Sequence, residues 1–295
     1  MEYCFPHPNQ RIYLGIHWAF DKTEGIALGR KVGDYVYASA FTIAPCQLVN
    51  ISTRTKVLTN DRVLIGGLII TGSKAKKVAL RAIGPSLAGS GLSGLLADPV
   101  LEVHDVSGSV IAVNDDWQTD AGAAELSANG IAPGDDRESA TVQTLSPGAY
   151  TAVVSGKNNT TGVAVVELYD LDQGANSILA NISSRGFIDT GDNALIGGFI
   201  LGRGLGSGTV VVRAIGPSLS AFNVAGPVQD PTLELINASG TTIASNDNWP
   251  IPARPSSNRT TWPRPIRASQ PRSNPLRLET TPRLCAAMIT LPVFG

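Results

Sequence analysis

Two stretches of this chain carry nearly the same sequence about 130 residues apart. Asn50-Ile-Ser-Thr-Arg54 returns as Asn181-Ile-Ser-Ser-Arg185, and Leu64-Ile-Gly-Gly67 returns as Leu195-Ile-Gly-Gly198. Arg81-Ala-Ile-Gly-Pro-Ser-Leu87 returns unchanged at Arg213 to Leu219. Asp98-Pro-Val-Leu-Glu102 and Asn114-Asp-Asp-Trp117 return as Asp230-Pro-Thr-Leu-Glu234 and Asn246-Asp-Asn-Trp249. The offset is 131, then 132 after a one-residue insertion. A repeat of that length is a domain, not one rung of a solenoid. The first copy occupies residues 48–175, and the second is legible over 179–249.

Inside the first copy, short apolar or alternating runs lie between turn signals. Strands are expected at 62–71, 77–83, 100–105, 109–114, 140–145, 149–155 and 163–170. Val106-Ser-Gly108 and Ser146-Pro-Gly148 carry tight-turn chemistry. Only Gly122 to Ala128 reads as a helical turn or two. Strands this short and this frequent predict an all-β, antiparallel β-sandwich, in tandem, with the second sandwich incomplete.

Composition supports that class but conceals a break. Hydrophobic residues make up 43% and charged residues 16%, which argues against disorder throughout. Nine of the 19 prolines lie between Pro250 and Gly295, with one acidic residue, Glu279. Read one base out of frame, Trp262-Pro263 gives alanine and Met288-Ile289 gives aspartate. The junctions between them permit Ala-Pro-x-Asp-x-Arg-Glu-Ser-Ala, the counterpart of Ala132 to Ala140 at an offset of 130. A shifted reading frame is therefore expected after Trp249. Residues 250–295 should then be irregular, and the second copy should be marginal or borrow surface from the first. Residues 1–47 match neither copy. His17 to Phe20 and Asp34 to Ile43 read there as strands, at the end of a preceding module or after a misplaced start.

A net charge of −1 gives no electrostatic case for nucleic acid, and no apolar run is long enough for membrane insertion. The three cysteines, Cys4, Cys46 and Cys285, match no zinc spacing. Asp115 and Asp116 follow one strand; Asp135, Asp136 and Glu138 precede another. If the two loops meet at one end of the sandwich, these five carboxylates could offer oxygens to Ca²⁺. Turns favour Asp for their own reasons, which is the plainer explanation. Arg81 and Arg213 are expected to pair with Glu102 and Glu234. Lys74, Lys76 and Lys77 read as a solvated turn. His104 is the only histidine of the two copies, so neither a catalytic triad nor a zinc hydrolase site is available in both.

The second half of the first copy runs Leu101-Glu-Val-His-Asp-Val-Ser-Gly-Ser-Val-Ile-Ala-Val-Asn-Asp-Asp116, then Asp135-Asp-Arg-Glu-Ser-Ala140 and Ser146-Pro-Gly-Ala-Tyr-Thr-Ala-Val-Val-Ser-Gly156. This resembles the bacterial pre-peptidase C-terminal domains, and the full unit is similar to tandem repeats of bacterial cell-surface and secreted proteins. The resemblance implies jelly-roll-like sandwiches, an extracellular or cell-surface location and no reaction. The expectation is a non-catalytic module for structural display or adhesion, with polysaccharide or other surface proteins as partners. The alternative is a carbohydrate- or protein-binding accessory module of a secreted hydrolase.

Overall fold

The computed structural model describes residues 19–40, 46–189, 193–202, 210–248 and 285–291. The chain divides into two units, Met1–Ala44 and Pro45–Gly295. In the first, Ala19–Ala40 is a helix, α1. Strands were expected at 17–20 and 34–43. Over 19–20 and 34–40 the chain is helical instead, and 17–18 and 41–43 lie outside the described residues. A helix satisfies its own N–H and C=O groups, whereas a strand needs a neighbour. No described residue pairs with this segment as a strand. Ile26, Leu28, Val32, Tyr35 and Val36 all stay exposed. No described helix is long and apolar enough to cross a membrane.

The second unit is all-β and antiparallel, as expected. Its strands are β1 (Gln47–Val57), β2 (Leu64–Gly72), β3 (Lys76–Ile83), β4 (Pro99–His104), β5 (Val110–Asn114), β6 (Ser139–Leu145) and β7 (Gly148–Gly156). They continue as β8 (Gly162–Asp170), β9 (Ser177–Arg185), β10 (Leu195–Gly202), β11 (Leu233–Asn237), β12 (Thr242–Asn246) and β13 (Cys285–Leu291). The expected helical turn is α2 (Ala123–Ala128). Every strand belongs to one hydrogen-bonded network. One run is ordered β6-β3-β8-β1-β10-β13-β11-β12, the other β5-β4-β7-β2-β9. The two runs are joined at the pair Leu48 and Leu179.

Period-two burial explains the layering. β2 and β8 alternate buried and half-buried residues along most of their lengths. Their inward residues, Leu64, Leu68 and Ile70 with Ala164, Val166 and Leu168, share one core with Val78 and Leu80 of β3 and Leu101 and Val103 of β4. On the other side of β3 and β6, Leu126 of α2 packs on Ala79 and Ala140.

The two copies exchange their first strands. β1 opens the first copy and keeps β8 of that copy on one edge, but its other edge pairs with β10 of the second; β9 opens the second but pairs with β2 of the first. Arg54 faces Ile196 and Arg185 faces Ile65; Ile51 faces Phe199 and Ile182 faces Leu68. Each pair becomes the other when 131 is added to one member and subtracted from its partner. The exchange is therefore a pseudo-twofold arrangement in matched register. The Leu48–Leu179 pair joins two equivalent residues and lies on its axis. The repeated Leu-Ile-Gly-Gly serves this crossing, because a Cβ on Gly67 would stand 2.6 Å from the Ser183 hydroxyl.

The second copy does borrow surface. Its cluster of Phe199, Leu201 and Leu235 is completed by Ile51 of β1. It is also looser: Leu64, Leu101 and Val103 are 0% exposed, but their counterparts Leu195, Leu233 and Leu235 are 7%, 8% and 8% exposed. The tail departs from the expected irregularity at one place. Cys285–Leu291 is a strand lying between β10 and β11, as β7 lies between β2 and β4. Leu291 faces Leu195 where Val154 faces Leu64, and Thr290 faces Glu234 where Val153 faces Glu102. The open edges of β10 and β11 account for this, since a sheet edge pairs with any backbone able to extend. The rest of 249–295 lies outside the described residues.

Candidate functional site

The two acidic loops do meet, and they meet around Glu138. This carboxylate is fully buried at the start of β6. Its Oε1 accepts from the amides of Gly84 and Ser86, each at 2.9 Å, and from the Ser86 hydroxyl at 2.6 Å. Its Oε2 accepts from Ser86 Oγ at 2.8 Å and from the amides of Gly134 and Asp135 at 3.2 and 3.3 Å. The Gly-Pro-Ser of the repeated heptapeptide is thus a donor nest for a buried charge. Gly84 is required by crowding: a Cβ there would meet the Leu96 carbonyl at 2.2 Å. Gly216 keeps the same constraint against the Val228 carbonyl at 2.0 Å.

The loop after β5 closes on the same end. The Trp117 amide donates to the Glu138 carbonyl at 2.9 Å, and Asn114 Oδ1 accepts from the Ala140 amide at 2.9 Å. Gln118 donates to Asp136, and Ser139 Oγ donates to the Pro99 carbonyl at 2.5 Å. Lys157, just after β7, places Nζ 2.6 Å from Asp115 Oδ2 and 3.7 Å from Asp98 Oδ2. Asp98 Oδ1, Asp115 Oδ1 and Trp117 Nε1 are buried without a hydrogen-bond partner.

The electrostatics divide along the same lines. Burial raises the Asp98 carboxyl above its ordinary range; Lys157 opposes this, while Asp115 and Asp116 add to it. Arg137 donates Nη2 to Asp135 Oδ2 at 2.9 Å and holds that carboxyl low. The hydrogen bond that Lys157 donates to Asp115 pushes its ammonium up.

The structure gives most of these carboxylates partners of the protein's own. Asp115, Asp116, Asp135, Asp136 and Glu138 lie on loops that touch, but they do not form a ligand shell. Glu138 has both oxygens committed to N–H and O–H donors, and Asp135 and Asp115 are paired with Arg137 and Lys157. Among the described residues no group of three or more His, Cys, Asp or Glu side chains is arranged to hold a metal ion. Lys157 and Arg137 bring positive charge to this end. Sequence reasoning missed Asp98, Lys157, Arg137 and Trp117. A buried carboxylate needs compensating donors, and those of Glu138 are backbone amides and Ser86, which spacing does not reveal.

Two further expectations change. Arg81 pairs with Glu167 of the adjoining strand, not with Glu102; its Nη1 also donates to the Ile131 carbonyl at 2.5 Å and its Nη2 to Tyr169 Oη at 3.1 Å. Glu102 instead contacts His104 Nε2 at 3.1 Å. Cross-strand neighbours on one face outrank residues closer in sequence, and Arg81 faces Glu167 in the β3–β8 ladder. Arg213, in the identical heptapeptide, is exposed. Lys76 is no solvated turn residue. It is fully buried, and its Nζ donates to Asp170 Oδ1 and Oδ2 at 2.9 and 2.8 Å and to the Asp172 carbonyl at 2.8 Å.

Glu138, Asp115, Asp135 and Asp136 each have a structural partner visible in their contacts. The arrangement can hold loops and balance charge. Neither a protein-family model, nor a curated protein, nor a solved structure matches the chain.

Proposed function

We propose that the chain is a non-catalytic β-sandwich repeat module of a bacterial surface or secreted protein, used for structural display or adhesion. In this reading the two copies are jelly-roll-like sandwiches of the type seen in pre-peptidase C-terminal domains, the second one incomplete. The observation that supports it best is the exchange of β1 and β9 in matched register. Exchanged strands make each copy part of its neighbour's sheet, so tension on one copy is shared by both. A module that transmits force or holds a display at fixed spacing needs that continuity. A catalytic domain gains nothing from it. The internally committed charges, Glu138 at the loop end and Lys76 at the opposite end of β3, fit a scaffold as well.

Single-molecule stretching of the full chain between terminal handles tests this. The exchanged copies should unfold in one cooperative event. Two separate events would remove the mechanical argument. Retention of the chain on an insoluble polysaccharide in pull-down would move the assignment to a binding accessory module.

A further inference from the structure

The pseudo-twofold relation makes a demand on the outer edge of β9. Its counterpart β1 is paired on both sides along its length. One edge of β1 carries β10, and the other carries β8, from Asn50 facing Tyr169 to Val57 facing Gly162. β9 carries β2 on one edge. On the other, beyond the Leu48 contact at Leu179, Asn181–Arg185 has no ladder partner among the described residues. Side chains report the same difference. Asn50 is 7% exposed and its Nδ2 donates to the Leu168 carbonyl of β8 at 3.1 Å, whereas its equivalent Asn181 is exposed.

The far wall of the vacant place is present too. In the first copy β8 lies between β1 and β3. The second copy keeps the β3 sequence as Val210-Val-Val-Arg-Ala-Ile215, with Val210 and Val212 packed on the second core as Val78 and Leu80 pack on the first. Yet 210–215 forms no ladder, and Val211 and Ile215 are each 44% exposed. Among the described residues, neither of the strands that flank β3, β6 and β8, has a counterpart beside this segment.

We propose that the outer edge of β9 is a strand-acceptor site for a strand of the β8 sequence, Gly162–Asp170, entering antiparallel. The register is fixed by equivalence: Asn181 opposite the position of Tyr169, Ser183 opposite Glu167 and Arg185 opposite Val165. The Asn181 amide takes the carbonyl at the Leu168 position, and 210–215 joins the ladder on the far side. The main chain supplies most of the attraction, and the alternating Val166 and Leu168 positions supply the choice of face.

The test uses the full chain and a synthetic peptide of residues 160–172. Amide hydrogen exchange is followed with and without peptide, beside two controls: a scrambled peptide, and the same peptide with proline at the Val166 position. The 160–172 peptide should slow exchange at Asn181–Arg185 and 210–215 by about tenfold or more at saturation, with neither control doing so. Three results would overturn the proposal: no slowing at millimolar peptide, equal slowing by either control, or β9 amides already as slow as those of β1 in the chain alone. The last would mean that another segment, or a second copy of the chain, holds the edge already.

Discussion

The hydroxyls of Thr53 and Ser184 are hydrogen-bonded to each other at 2.5 Å. These residues occupy the same position in the two copies, 131 apart. The contact therefore lies on the pseudo-twofold axis, where β1 and β9 each pair with a strand of the other copy. Thr53 is 1% exposed, so its hydroxyl has no recourse to water. Thr53→Val should cost about 1–2 kcal/mol, the usual penalty for orphaning a buried hydrogen-bonding group. Thr53→Val with Ser184→Ala should cost less than the two singles together, because removing both partners leaves nothing unpaired. Urea unfolding of the four proteins measures this; strict additivity would argue against the exchanged pairing.

Sequence alone carried the strands of the first copy well. β2 to β8 each begin and end within about two residues of the expected bounds, because alternation and turn residues are local signals. β1 and β9 were legible as repeated words, not as exchanged strands. Which copy a strand joins depends on contacts across the whole chain, and nearly the same five residues fit either edge. The loop end divided in the same way. That the acidic loops converge was open to the sequence as an expectation, since both loops border short strands. That Glu138 is a buried acceptor, and Asp115 the partner of Lys157, depends on side-chain directions that spacing does not give. The heptapeptide shows the limit most plainly: at 81–87 it starts as strand β3 with Arg81 paired, and at 213–219 it has no ladder.

Glu138 predicts an asymmetry between the copies. Ser86 donates both its amide and its hydroxyl to that carboxylate. Its counterpart Ser218 is exposed. Glu138→Gln places an amide NH₂ against N–H donors and should cost about 3 kcal/mol or more. Ser86→Ala should cost about 1–2 kcal/mol, and Ser218→Ala should fall within about 0.5 kcal/mol of wild type. Thermal unfolding ranks the three variants. Equal effects of the two serine changes would show that the carboxylate is not what the turn serves.

Lys76 and Asp170 are 0% and 2% exposed in their side chains, with an Nζ–Oδ2 distance of 2.8 Å. Breaking such a pair from one side leaves a charge in apolar surroundings, so Lys76→Met or Asp170→Leu should each cost about 3–5 kcal/mol. The double variant should recover much of that loss, because no charge is then stranded. The second copy has Gly208 at the lysine position, so all of this belongs to the first copy. A double variant worse than either single would mean that the pair is net stabilising beyond its own desolvation.

The loop end predicts two opposite pH dependences. Asp98 titrates above its ordinary 3.8, mainly because burial disfavours its charge. The native state therefore holds that proton more tightly than the unfolded chain. Its stability contribution is complete below 3.8 and is lost as pH rises through the raised native value. Asp135 titrates below 3.8, held down by the Arg137 hydrogen bond; its contribution is present above 3.8 and is lost as pH falls through the lowered value. Asp98→Asn should therefore gain on wild type as pH rises from acid to neutral. Asp135→Asn should trail wild type at neutral pH and close that gap as pH falls through the acid range. Lys157→Met should steepen the Asp98 dependence, since the ammonium is the one group opposing its neutralisation. Denaturant midpoints for the four proteins across the acid range measure the slopes, and parallel curves for the two Asn variants would contradict the charge arrangement.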